Sequence, residues 1–478
     1  MADQFEDFYS DFDDNADENS EDSYEKELAE LEAYYESIKE NQAFVELESL
    51  EEYIELANEL SAFEIGLELT KIYLKNSPFD GDVWHKKGIF HYYLEEYEDA
   101  IEALQKAISF EPTNYEILIS LSAAYEKIGD NENSIEYLKI ANSLYPDNKE
   151  ILLNIAYFYQ NHDIDQSINV LRYILEIFPD DEEALSELAY NYEIKNELNS
   201  ALEIYKKIVD LDPYNYISWF NLGTTYSRIG NAQKAIECYN LSIAINDSFL
   251  AAHFNLGNAY AAIGKYQLAI DEYDKVLDIN PEDVNTWYNL GLCYEELEDY
   301  TKAIRAYTKA IELNPQHFRS FLSRGYCYDS IDKYQLAIND FNKAIEISSG
   351  NVEAWYAKAD LEYSLGRLAE SLESYMKVLE IEPENPHIYY DIARTFYAMD
   401  DLGSALLYYN QCIKRQPNWA EPYYERAKVL FLLSKTNEAF ESLKQSFNLD
   451  PNKQKQFETE FPDIVESKLY KKILGRVN

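Results

Sequence analysis

Residues 284–317 read VNTWYNLGLCYEELEDYTKAIRAYTKAIELNPQH. Trp287, Leu290, Gly291 and Tyr294 are spaced by three and four, which puts them on one face of a helix. After EELEDY, Ala303, Ile304, Tyr307, Ala310 and Ile311 keep that spacing on a second helix. The closing NPQH ends it, because proline cannot continue a helix. Gly291 and Ala303 lack bulk where two helices cross closely, and the large Tyr and Trp side chains fill the space beside them. The stretch therefore predicts a helical hairpin. A lone hairpin cannot bury its apolar face, so neighbours must stack on it.

The rest of the chain supplies those neighbours. Pro78, Pro112, Pro146, Pro179, Pro213, Pro281, Pro315, Pro383, Pro417 and Pro451 follow a step of 34, with one step of 33 and two of 68. Asp247 and Ser349 stand in for the two missing prolines. Trp84, Trp219, Trp287 and Trp355 share one phase, and Gly88, Gly223, Gly257, Gly291 and Gly325 share another. Tyr205, Tyr239, Tyr273, Tyr307, Tyr375 and Tyr409 recur in the second helix. Units start at 47, 81, 115, 149, 182, 216, 250, 284, 318, 352, 386 and 420 and together cover 47–453. The first is degenerate and suits a cap. The fourth is one residue short near 161–165, and the tenth has Glu362 where Tyr is expected.

These residues resemble the tetratricopeptide repeat, whose pattern is W-x2-L-G-x2-Y, then A-x3-F, then P over 34 residues. Trp287, Leu290, Gly291, Tyr294, Ala303, Tyr307 and Pro315 all fall in place, with Tyr for the Phe. The resemblance implies an all-α fold, a right-handed superhelical α-solenoid of stacked helix-turn-helix hairpins. It also implies that first helices line an inner groove that holds a peptide or partner protein.

Composition narrows the functions. Asp and Glu outnumber Lys and Arg 89 to 41, a net charge of -48, which argues against nucleic acid as a partner. No run of 18 apolar residues predicts membrane insertion, and the first residues do not read as a signal peptide. Cys238, Cys293, Cys327 and Cys412 have no CxxC spacing, so reduced, packed thiols and a cytoplasmic location are expected. No GxGxxG, GxxxxGK[ST] or HExxH occurs, and His253 occupies the tryptophan phase of its unit. The expectation is a protein that is not an enzyme and needs no cofactor or metal.

The ends depart from the array. Residues 1–60 carry 22 acids and two lysines. We expect an acidic disordered tail over 1–23, where aliphatic residues are nearly absent, and a lead-in helix over 24–46. A capping helix is expected over 454–478, with Phe461, Ile464, Val465, Leu469 and Ile473 along one face.

Groove candidates follow from the unit phase. The sixth position carries Asn154, Asn221, Asn255 and Asn289, whose amides offer both a donor and an acceptor to a peptide backbone. In similar arrays such a ladder grips an extended peptide. The fifth position carries Phe220, Phe254, Tyr288, Tyr356, Tyr390 and Tyr424, either as inter-repeat packing or as a contact surface. Arg319, Arg324, Arg394 and Lys428 are basic residues in an acidic chain and are candidates to capture a carboxylate or acidic peptide. A two-carboxylate clamp for chaperone tails lacks its Lys and Asn pattern here. An alternative reading has the acidic N-terminus visiting Arg319, Arg324 and Arg394 as an internal pseudo-ligand that gates the groove. Oligomeric state is left open.

Overall fold

The structure is a computed structural model and describes residues 18–40, 46–465 and 470. Among the described residues every regular element is a helix and there is no strand. Helix Glu18–Glu40 precedes twelve two-helix hairpins, from Leu47–Glu59 with Phe63–Asn76 to Ala420–Leu432 with Thr436–Leu449. The chain divides into two compact units, 1–225 and 226–478, and each is treated by itself below.

The hairpin at 284–313 shows why the sequence folds this way. Asp283 accepts a hydrogen bond from the backbone N–H of Asn285 and caps helix Val284–Glu296. Asp299 accepts from Lys302 N–H and caps helix Tyr300–Leu313. Each cap satisfies a backbone donor that the helix leaves open, worth about 1 kcal/mol. Between the helices the fifteenth residue, Glu298, turns through the left-handed region at φ 58°. The equivalent residue does so in eleven units, as Gly129, Gly230, Gly264 and Gly366 and as Ser61, Glu95, Asn196, Glu298, Asp332, Asp400 and Ser434. Glycine takes this conformation freely and other residues with strain.

The fourth unit is the exception. Its missing residue falls in this turn, where Asp163 has φ -156° and serves as the last cap of Lys149–His162 and the first cap of Ile164–Ile177. The deletion thus removes the left-handed step.

The tryptophan phase has a second fixed use. The indole N–H groups of Trp84, Trp219, Trp287 and Trp355 donate to the carbonyls of Pro78, Pro213, Pro281 and Ser349 at 2.9–3.0 Å. Tyr389 and Tyr423 hydroxyls reach the Pro383 and Pro417 carbonyls in the same way. His253 Nε2 lies 3.0 Å from the Asp247 carbonyl, and its Nδ1 is 2.6 Å from Glu272. One side chain ties each of these units to the loop before it, whatever its type.

Glycine at the eighth position lets the helices close. A Cβ on Gly291 would lie 2.4 Å from the Tyr307 ring, and on Gly257 2.6 Å from Tyr273. On Gly325 it would lie 2.5 Å from Phe341. The second-helix aromatic therefore lies against bare backbone, and Tyr273 and Tyr307 are buried.

Both ends are covered, with boundaries that differ from expectation. Helix Glu18–Glu40 starts six residues before Tyr24, inside the stretch expected to be disordered, where an acidic ENSEDS suits a helix N-terminus. Its Leu31 and Ile38 pack into a cluster with Leu50, Ile54, Ala57 and Leu60. The tail at 1–17 and the end of the lead-in at 41–45 lie outside the described residues. At the C-terminus the expected single helix is broken: Asn452–Glu460 stops at Phe461, and a short helix Pro462–Val465 follows. Pro462 is the cause, since it disfavours a helical residue before it. Phe457 and Tyr470 are buried against Tyr424, Phe440 and Leu443. Leu469 and Ile473 lie outside the described residues.

Candidate peptide-binding surface

Within the 226–478 unit, successive first helices touch one another: Leu250–Ala262 meets Val284–Glu296, which meets Phe318–Ser330, which meets Val352–Ser364. Successive second helices do not do so to the same extent. First helices therefore form the tighter row of this unit, and their outward residues share one surface.

The asparagines do not behave alike. In the N-terminal unit, Asn154 turns back and donates to the Glu150 carbonyl at 2.9 Å. The backbone carbonyl of Asn221 accepts from the Thr225 hydroxyl at 2.9 Å. In the C-terminal unit, Asn289 donates to Asn258 Oδ1 at 3.0 Å, and Tyr273 donates to the same oxygen at 2.7 Å. Asn255 is half-buried, and no hydrogen bond engages its side chain among the described residues. Of the four expected rungs, Asn255 is the open amide beside a preorganised Asn289–Asn258 pair.

The aromatic stripe also divides. Phe220 and Tyr424 are buried, at 6% and 0% exposure, and are packing residues. Tyr424 further donates to Glu460 at 2.8 Å. Phe254, Tyr288, Tyr356 and Tyr390 are half-buried. Phe254 and Tyr288 rest on Tyr273 and Tyr307, with centroids 6.0 and 5.8 Å apart. Tyr288 also meets His317 edge-on at 5.2 Å, and Tyr390 lies 4.9 Å from Trp419. Each keeps one side on the core and part of its surface open, which is how aromatic residues serve an interface.

Among the expected cations, Arg324 is not a groove residue. It is the seventh residue of its unit and faces the second helix, where Nε and Nη2 grip Asp340 at 2.7 and 2.8 Å. Its Nη1 donates to Thr308 at 3.0 Å. With side chains only 14% and 8% exposed, this two-pronged pair is a structural tie between helices. Lys428 pairs with Glu425 at 2.9 Å. Arg394 lies 3.7 Å from Asp391 and stacks over the Tyr363 ring at 4.6 Å. Arg319 is exposed, with no ion pair among the described residues.

The structure adds a cluster that the sequence reading missed. The Tyr356 hydroxyl donates to Asp391, and the Tyr375 hydroxyl donates to Asp360. Burial pushes the Asp391 carboxyl above its ordinary range, Asp360 pushes it further, and the Tyr356 hydrogen bond and Arg394 oppose that. Glu295, accepting from Tyr307 at 2.7 Å, is likewise raised by burial. The signal lay in different columns of the units: Asp360 and Arg394 are ninth residues, Asp391 a sixth and Glu295 a twelfth. Glu362, the odd residue of the tenth unit, is buried, with Ser374 donating to it at 2.8 Å. Partly desolvated acids beside tyrosines recognise backbone N–H groups or a cation by hydrogen bonding; no nucleophile and base stand together among these residues.

Other chemistry is sparse. His91, Glu96 and Asp99 bring three ligand atoms within 4.8 Å, but His91 is already 2.6 Å from Glu96 and the two acids are exposed. The four cysteines are free and buried, and burial raises Cys238 and Cys293 to about 11. No helix among the described residues is long and apolar enough to cross a membrane.

The comparisons with known proteins agree with this architecture. Models described as tetratricopeptide repeat match residues 81–114, 115–148, 182–215, 204–237, 284–317, 318–351 and 386–418. A TPR repeat model matches 257–298 and 359–400, and together the matches span more than half of the chain. No curated protein matches the sequence. Among solved structures, MamA is 30% identical over 34% of this chain and 95% of its own, with a TM-score of 0.33. YrrB, described as a TPR protein with an unusual peptide-binding site, is 22% identical over 37% of this chain and 92% of its own, with a TM-score of 0.33. A tetratricopeptide repeat protein from Parabacteroides merdae is 23% identical over 55% of this chain and 98% of its own, with a TM-score of 0.40. The chain belongs to the tetratricopeptide repeat family.

Proposed function

We propose that the chain is a non-enzymatic scaffold that holds an extended peptide or a partner protein on the first-helix surface of its C-terminal unit. The observation that carries this reading is the open Asn255 amide next to the Asn289–Asn258 pair. Half-exposed Phe254 and Tyr288 lie on the same two helices. An unpaired amide and two rigid rings suit a backbone held irrespective of its side chains. Arg319, one unit further on, supplies a cation for a carboxylate. Buried free thiols suit a reducing compartment, so we assign the work to the cytoplasm.

The test is capture of partners from the native lysate, followed by titration of the identified peptide. Asn255→Ala together with Tyr288→Ala should weaken that peptide at least about tenfold, roughly 1.4 kcal/mol. Equal affinity for wild type and double variant, with both folded, overturns the assignment.

The alternative, an acidic N-terminus gating this surface, loses two of its three cationic anchors. Arg324 is committed to Asp340, and Arg394 already faces Asp391.

A further inference from the structure

A lysine-rich cavity of about 530 Å³ lies in the N-terminal unit. It is lined by Lys39, Lys71, Lys75 and Lys87, with one acid, Glu68, and with Tyr35 and Trp84. Lys87 and Lys106 ammoniums sit over the Trp84 ring at 4.8 and 4.6 Å. Lys39, Lys71 and Lys106 each have one nearby glutamate on their own helix, at 3.4, 2.7 and 2.6 Å. Such exposed pairs neutralise little. Lys75 and Lys87 have no ion pair among the described residues. Burial pushes Lys87 below the ordinary lysine range, the Lys106 and Lys71 charges add to this, and Glu102 and Asp99 oppose it. In a chain of net charge -48, four lysines against one glutamate in a single cavity, with Lys106 beside Lys87 over the indole, call for an anion.

We propose that this cavity is the docking site of the chain's own acidic N-terminal segment, residues 3–9. Residues 1–17 hold seven acids and no lysine or arginine, and 3–9 carry Asp3, Glu6 and Asp7. The segment joins the helix Glu18–Glu40, whose Tyr35 and Lys39 form one wall of the cavity. Glu18 to Tyr35 spans roughly 26 Å at about 1.5 Å per helical residue. Residues 9 to 18, extended, span about 30 Å, so the tether is long enough. Being tethered, the segment meets the lysines at an effective concentration on the order of millimolar, ahead of a free competitor. Lys71 and Lys75 stand on the second helix Phe63–Asn76, and Trp84 of Gly81–Tyr93 packs against the second helix Tyr97–Phe110. The site lies within the N-terminal unit, so the proposal does not rest on the scaffold reading above, which concerns the C-terminal unit.

The experiment is zero-length carbodiimide coupling of the full chain, which joins a lysine amine to a touching carboxylate with loss of water. Products are mapped by mass spectrometry. Links from Asp3, Glu6 or Asp7 to Lys71, Lys75 or Lys87 are expected, with yield unchanged on about 100-fold dilution. They should fall several-fold between ~10 mM and ~1 M salt. Lys75→Glu with Lys87→Glu should cut the link to the retained Lys71 at least about tenfold, while the helical circular dichroism and Tm stay those of wild type. Lys75→Gln with Lys87→Gln keeps the test readable if charge reversal unfolds the chain. Links confined to the local Lys–Glu pairs overturn the proposal, as do tail links spread evenly over lysines elsewhere. A yield that falls with dilution overturns it too, assigning the site to a second copy.

Discussion

Hairpins 284–313 and 386–415 have the same helix lengths, the same aspartate cap on the second helix and a buried tyrosine at the same place. They differ in what that tyrosine touches. Tyr307 lies against Gly291 and donates to Glu295 at 2.7 Å. Tyr409 lies in a unit with Ala393 in place of the glycine, and its buried hydroxyl has no partner among the described residues. The other units explain why. The hydroxyl finds an acceptor on the ninth residue, Asn258 for Tyr273 and Asp360 for Tyr375, or on the twelfth, Glu295 for Tyr307. In 386–415 those places hold Arg394, which only donates, and Tyr397, which does not pair with it. A repeat conserves the ring and leaves the hydroxyl to whatever its own unit offers.

The comparison breaks most sharply at Gly291. Gly291→Ala places a methyl 2.4 Å from the buried Tyr307 ring. The better helix propensity of alanine is worth about 1 kcal/mol and loses to overpacking of up to ~3 kcal/mol. We expect a net loss of roughly 2 kcal/mol in urea denaturation; an unchanged midpoint would show that the ring yields.

The hydroxyls give opposite signs. Tyr307→Phe strands the Glu295 acceptor and should cost about 1–2 kcal/mol, whereas Tyr409→Phe removes an unsatisfied buried group and should gain up to about 1 kcal/mol. Equal signs in the same denaturation assay refute the assignment of partners.

Acidity sharpens the same contrast. Burial holds the Glu295 carboxyl above its ordinary value of 4.5. The folded state then binds that proton more tightly than the unfolded state, so this group favours folding at low pH. Its contribution is lost as pH rises from the unfolded value through the folded one. Between pH 4.5 and 7 wild type should therefore lose more stability than Glu295→Gln, measured by urea titration at several pH values. Identical pH slopes would rule this out.

The smallest effect concerns the turn. Glu298 sits at φ 58° where four other units have glycine. Glu298→Gly should raise the local stability by about 0.5–1 kcal/mol, seen as slower amide exchange across 294–303. The same change at Asp163, whose φ is -156°, should not stabilise.

Much of this was legible beforehand. Spacing alone carried the hairpin, because helical periodicity is a property of neighbouring residues in one chain segment. The proline step located the units, and the buried Gly291–Tyr307 contact is the close crossing that small residues predict. The site was less legible. Arg324 and Arg319 both look like basic residues of one helix, yet one grips Asp340 and the other is exposed. The asparagines at one position differ for the same reason: Asn154 bonds to its own helix, Asn289 to Asn258 on another, and Asn255 to neither.

The sequence by itself determined the repeat, the helical hairpins and the small-to-large packing between helices. These depend on local backbone preferences repeated every 34 residues. Only the tertiary structure decided which amide stays open, which tyrosine hydroxyl is stranded and which lysines surround Trp84. Those outcomes depend on side chains from separate helices meeting within about 3 Å, a distance that hydrogen bonds require and that periodicity does not encode.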